Sequence, residues 1–124
     1  MLAKLIFAMA IAAAGSTYTE YPNLRFDDNS PWIYKMTSGL RDYSVPNAAG
    51  LFLNTCRVNY AQTSGSNGSF GPYHGKIALF CRTPTSGSDD PRDLTGEVID
   101  YINKHVREPG TEEWKIESTP KESG

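Results

Sequence analysis

Histidine and cysteine are scarce: the 124-residue chain has two of each. No run of basic residues occurs, so the electrostatic footprint of a nucleic-acid binder is missing and no DNA partner is expected. Metal-site spacings are missing as well, with no C-x-x-C, no H-E-x-x-H and no EF-hand loop. The acidic stretch Ser88–Asp93 is explained by the start of a capped helix, so neither a metal nor a cofactor is expected. A G-x-S-x-G nucleophile is absent, and two cysteines oxidised to one another attack nothing. The longest apolar run, Leu5–Ala14, falls well short of the about 20 residues that cross a bilayer.

That run is informative for another reason. Lys4 precedes it, small residues end it, and the composition turns abruptly polar at Gly15, which is the layout of a secretory signal peptide. Ala13 and Gly15 suit cleavage before Ser16, and Ala12 and Ala14 suit cleavage before Gly15. The expected organisation is therefore a signal peptide over 1–15, one domain over 16–118 and a disordered tail over 119–124. Losing Lys4 takes the net charge from −2 to −3. The protein is expected to be secreted and extracellular (periplasmic if bacterial), with no membrane span after cleavage. In an oxidising compartment Cys56 and Cys81 have only each other to pair with. A bridge across their 25-residue separation stabilises by about 3.5 kcal/mol on the chain-entropy model. Asn67-Gly68-Ser69 is an N-glycosylation triplet, a signal of low specificity.

Within the domain, Ser16–Pro31 reads as an extended lead-in pinned by Tyr18, Tyr21, Leu24 and Phe26. Trp32–Met36 alternates as a strand, and Thr37–Gly50 reads as loop or a short helical turn. Leu51–Ala61 and Gly75–Thr83 read as an antiparallel strand pair. Setting Cys56 opposite Cys81 puts Val58 opposite Leu79 and Tyr60 opposite Ile77, all on one face. Arg57, Arg82 and Lys76 then fall on a mostly polar face. A helix follows, with Asp90 as its cap, Pro91 in its first turn and Asp93 at the positive end of its dipole. Leu94, Val98, Tyr101, Ile102 and His105 form its single apolar stripe. Glu113–Thr119 alternates as a last strand. The expected fold class is α+β: a small two-layer sandwich of a mostly antiparallel, twisted sheet with one helix packed on one face.

The loop Gln62–His74 draws the functional reading. Its end, "FGPYHGK" (Phe70–Lys76), carries two glycines and a proline for turning. Phe70, Tyr73 and His74 have no evident local duty, and aromatic rings on a glycine-rich tip are what a binding loop contains. Phe70 and Tyr73 are therefore the expected apolar anchors of a partner surface, with His74, Lys76, Arg57 and Arg82 as polar contacts. The function this points to is a secreted, disulfide-stapled protein that binds an extracellular or host macromolecule, as an effector, inhibitor or recognition factor does. The alternative is a ribonuclease-like hydrolase. RNA cleavage needs a base, an acid and cations for the phosphate, and His74, His105, Glu97 and Arg82 are the residues available. RNA is a partner only under that alternative, and the two readings part on whether His74 shares a cleft with His105 or Glu97.

Overall fold

A computed structural model describes residues 24–60, 67–83 and 91–122. The expected signal peptide, Tyr18, Tyr21, Asp90 and most of the Gly/Ser loop lie outside the described residues. The fold class is α+β, as expected, but with two helices instead of one. β1 (Tyr34–Ser38) leads to helix α1 (Val45–Asn59), then to β2 (Asn67–Tyr73) and β3 (Lys76–Arg82). Helix α2 (Thr95–Tyr101) continues in a wider π-helical coil over Ile102–Val106, and β4 (Lys115–Ser118) ends the series. The sheet is antiparallel in the order β2-β3-β1-β4 and open at both edges. Since β3 is antiparallel to both neighbours, β1 and β2 run parallel with β3 between them, the arrangement of a split βαβ pair.

The second helix is a correction: Leu51–Ala61 is not a strand. Ser44 caps α1, its Oγ accepting from the Asn47 N–H at 3.2 Å, and a proline sits in the first turn where no donor is wasted. Ala48, Ala49, Phe52, Thr55 and Cys56 then recur at helical spacing and form the buried stripe. The cap and the alanines that distinguish helix from strand all lie before Leu51. Val58 consequently stands 62% exposed, and on the hairpin-paired strand β2 the partners of Leu79 and Ile77 are Phe70 and Pro72, not Val58 and Tyr60.

The Cys56–Cys81 disulfide is present, with Cα atoms 6.0 Å apart. It joins α1 to β3 rather than two neighbouring strands. Gly68 on β2 makes room for it, since a Cβ there would stand 3.0 Å from the Cys56 Sγ. Helix α2 starts later than its sequence signals indicated. Leu94 is its cap position and carries no capping side chain; one residue earlier, the Asp93 Oδ1 accepts from the Thr95 N–H (3.0 Å) and hydroxyl (2.7 Å), and Pro91 precedes the helix. Leu94, Val98 and Ile102 are buried in one core with Phe52, Phe70, Ile77, Leu79 and Trp114. Asn103 fastens α2 to the start of β4, donating to the Trp114 carbonyl (2.9 Å) and accepting its N–H (2.8 Å).

The other face of the sheet is not the polar surface the sequence pattern implied. The lead-in crosses it, with Phe26 packing 5.0 Å from the Tyr73 ring and 5.8 Å from Phe80. The Asp27 N–H donates to the Ser69 hydroxyl at 2.8 Å. After β4, Thr119 donates to the Ile33 carbonyl, and Glu122 is bonded to Tyr73 and Lys76, so the chain is tied down as far as Glu122.

Candidate functional site

The residues expected at a binding tip are largely used by the fold. Phe70 is 1% exposed and packs on the helix side of the sheet, 5.7 Å from the Phe52 ring. Tyr73 is 4% exposed on the opposite side, under Phe26. These two rings are a correction: they are core groups, because Asn67–Tyr73 is an edge strand and its alternating side chains face covered surfaces on both sides. Gly71 lets the lead-in pass, since a Cβ there would lie 3.1 Å from backbone atoms of Arg25 and Phe26. His74 (φ 49°) and Gly75 (φ 80°) form a two-residue hairpin turn with both residues left-handed.

His74 itself is exposed, its ring 4.6 Å from that of Tyr73. Lys76 is bound to the Glu122 carboxylate at 2.9 Å, which holds that carboxyl below its ordinary value. Arg57 is exposed on α1 and reaches back to the Asn54 side chain at 3.2 Å. Arg82 lies half-buried over the Phe80 ring, 5.9 Å from its centroid. Asn67, the first residue of β2, is exposed. Phe70, Tyr73, His74, Lys76, Arg57 and Arg82 therefore do not converge on one surface.

Another grouping does. Tyr60, which ends α1, faces Glu97, Asp100 and Tyr101 of α2, and Lys104 and His105 of the coil that continues it, across a surface cleft of about 250 Å³. The Tyr60 and Tyr101 rings meet edge to face at 6.1 Å, and His105 leans on Tyr101 at 4.9 Å. The Tyr60 hydroxyl donates to the Glu97 carbonyl at 3.2 Å, and Arg92 lies 3.7 Å from the Glu97 carboxylate. Burial first, and then the negative charges of Glu97 and Asp100 with Tyr101 nearby, push the Tyr60 hydroxyl above its ordinary pKa.

Both walls of this cleft are referred to the disulfide. The Tyr60 N–H donates to the Cys56 carbonyl (3.2 Å), and the Leu94 N–H, one residue before α2, donates to the Cys81 carbonyl (2.8 Å). Thr95 adds a second tie, accepting the Cys81 N–H at 3.0 Å. The strand assignment for Leu51–Ala61 hid this cleft, because it placed Tyr60 in the sheet. The usable signal was the Ser44-Val45-Pro46 start of α1.

Of the four residues considered for acid–base chemistry, Glu97 and His105 share the cleft, and His74 and Arg82 do not line it. Glu97 and His105 stand eight positions apart, or roughly two turns of helix, with Tyr101 between them. A general acid and a general base each need hydrogen-bond reach of the reacting group. Among the described residues no three His, Cys, Asp or Glu side chains gather as a metal site, and no helix is long and apolar enough to cross a membrane. No protein-family model, curated protein or solved structure matches the chain.

Proposed function

We propose that this is a small secreted protein that binds an extracellular macromolecule, of the effector, inhibitor or recognition-factor kind, through the Tyr60–Tyr101–His105 cleft. The observation that carries the reading is the composition of that cleft. Two partly exposed tyrosines, a histidine, two carboxylates and a lysine project from a frame held by a disulfide. Tyrosine gives contact area at low entropic cost, and mixed polar groups around it supply the rim of an interface. A rigid frame lowers the ordering cost of binding. The N-terminal layout and the disulfide support secretion.

The ribonuclease-like alternative draws on Glu97 and His105 lining the same cleft. It is disfavoured by their separation and by the position of His74 outside it. Immobilised mature protein, exposed to the extracellular fluid of its source, should retain a partner that the Tyr101→Ala variant does not. Equal retention by a folded Tyr101→Ala variant would place the interface elsewhere. RNA cleavage by the wild type that His105→Ala abolishes would replace the binding reading with the alternative.

A further inference from the structure

We infer that the outward face of α1 is a self-association surface on which two copies pair antiparallel about a two-fold axis. At 3.6 residues per turn, Pro46, Asn47, Gly50, Asn54, Arg57 and Val58 share one arc of about 120°, opposite the buried stripe, and all six are exposed. Arg57 is the only charged residue in the helix. A solvated helix face ordinarily carries many charges, whereas the centre of an interface is depleted of them. Val58, 62% exposed, is the most exposed large apolar side chain among the described residues.

Gly50 sits near the middle of this arc. Glycine in a helix interior weakens the helix relative to alanine. Within one copy packing does not require it, because a Cβ at this position would meet no atom within 4 Å beyond its chain neighbours and its own turn of helix backbone. A second helix brought close to this turn would require it.

The two ends of the face are complementary. A groove of about 560 Å³ lies at the N-terminal end, between the first turns of α1 and the chain after α2, with the carboxylates of Asp42 and Glu108 in its walls and no cationic side chain. Arg57 and Val58 stand at the other end, and Arg57 is in no ion pair among the described residues. Antiparallel pairing centred between Gly50 and Asn54 brings each copy's Arg57 and Val58 to the other copy's Asn47 and Pro46. Arg57 then approaches Asp42 and Glu108, and Val58 seats over the groove. Such a contact is isologous, made twice by the same residues, and closes at two copies.

One helix face buries an area near the low end of stable interfaces, so association should be weak, at roughly tens of micromolar. Sedimentation equilibrium of the mature protein over a wide concentration series should show a monomer–dimer equilibrium. Val58→Asp leaves the core untouched, so it should stay folded by circular dichroism and remain monomeric. Gly50→Ala should raise the melting temperature yet weaken association by about tenfold or more, since the added methyl group keeps the helices apart. Arg57→Glu should weaken association, and adding Glu108→Arg to it should restore it. A wild type that is monomeric throughout, or a dimer indifferent to both Val58→Asp and Gly50→Ala, would overturn the inference.

Discussion

Phe70 and Tyr73 lie three residues apart on β2 and pack against opposite sides of the sheet, Phe70 on Phe52 of α1 and Tyr73 on Phe26 of the lead-in. One edge strand therefore locks two separate layers to the sheet. The sequence pattern "FGPYHGK" is accounted for residue by residue: two buried rings, a glycine for the crossing lead-in, a buried proline, a left-handed turn and a lysine that binds Glu122.

Phe70→Ala should cost about 3–5 kcal/mol, because it leaves a cavity beside Phe52 in the main core. Tyr73→Phe keeps the ring under Phe26 and removes the hydroxyl that accepts the Glu122 N–H at 2.6 Å, so it should cost about 1 kcal/mol. Urea denaturation of the two variants separates them. Similar small losses would show that Phe70 packs loosely.

Titration of the denatured, unreduced protein should find no free thiol, since both cysteines are bridged. Replacing both with serine should cost about 3.5 kcal/mol. It should also unsettle the cleft, whose two walls hang from the Cys56 and Cys81 carbonyls. A double variant of unchanged stability would contradict the brace assigned to this bond.

The cysteine pairing was legible because a count of two admits one answer, yet the geometry that suggested it was not the one found. Val58, Tyr60, Leu79 and Ile77 fit a hairpin on paper because a short apolar run satisfies both periods, and only the segment before it separates them. Ser44 and the proline behind it name a helix start, and Ala48 and Ala49 extend it. The apolar stripe of α2 was plain from Leu94, Val98, Tyr101 and Ile102, since i, i+4, i+7 and i+8 share one face of a helix, whereas on a strand Tyr101 would fall on the opposite face from the other three. The start of α2 was misplaced because Asp90, Pro91 and Asp93 all suit a helix beginning at residue 91, whereas the helix begins at Thr95, whose N–H donates to the Asp93 carboxylate. The cleft was illegible for a different reason: Tyr60 and Tyr101 meet only once α1 exists.

Val98 has no solvent exposure and faces the core shared by both helices and the sheet. Val98→Asp should therefore cost roughly 3 kcal/mol or more, because an unpaired carboxylate would enter an apolar interior. Thermal denaturation with little change would mean that α2 packs elsewhere.

Alkaline titration probes β1. The Tyr34 hydroxyl donates to the Asp93 carboxylate. Burial first, then that hydrogen bond and the Asp93 charge, push Tyr34 from an ordinary value of 10.0 up to about 12. The folded state thus favours the neutral phenol. Its contribution is complete below pH 10 and is lost as the pH rises from 10 towards 12. Tyr34→Phe should be less stable than wild type at neutral pH, and the gap should narrow across that window. A gap constant with pH would remove the Tyr34–Asp93 pair as its source.

The last prediction concerns Gly71 and the layer it admits. A Cβ at this position would stand 3.1 Å from the Arg25 carbonyl carbon and the Phe26 nitrogen, and backbone atoms cannot swing aside as the end of a flexible side chain can. Gly71→Ala should therefore lift the lead-in from the outer face of the sheet and separate Phe26 from Tyr73 and Phe80. Crowding of this kind costs about 1–3 kcal/mol. The main core, on the other side of the sheet, should remain folded. Trypsin should cut after Arg25 faster in the variant than in the wild type, while the near-ultraviolet signature of buried Trp114 is retained. An unchanged cleavage rate would mean that the lead-in accommodates the methyl group in place, and loss of the Trp114 signature would mean that the outer layer and the main core unfold as one unit.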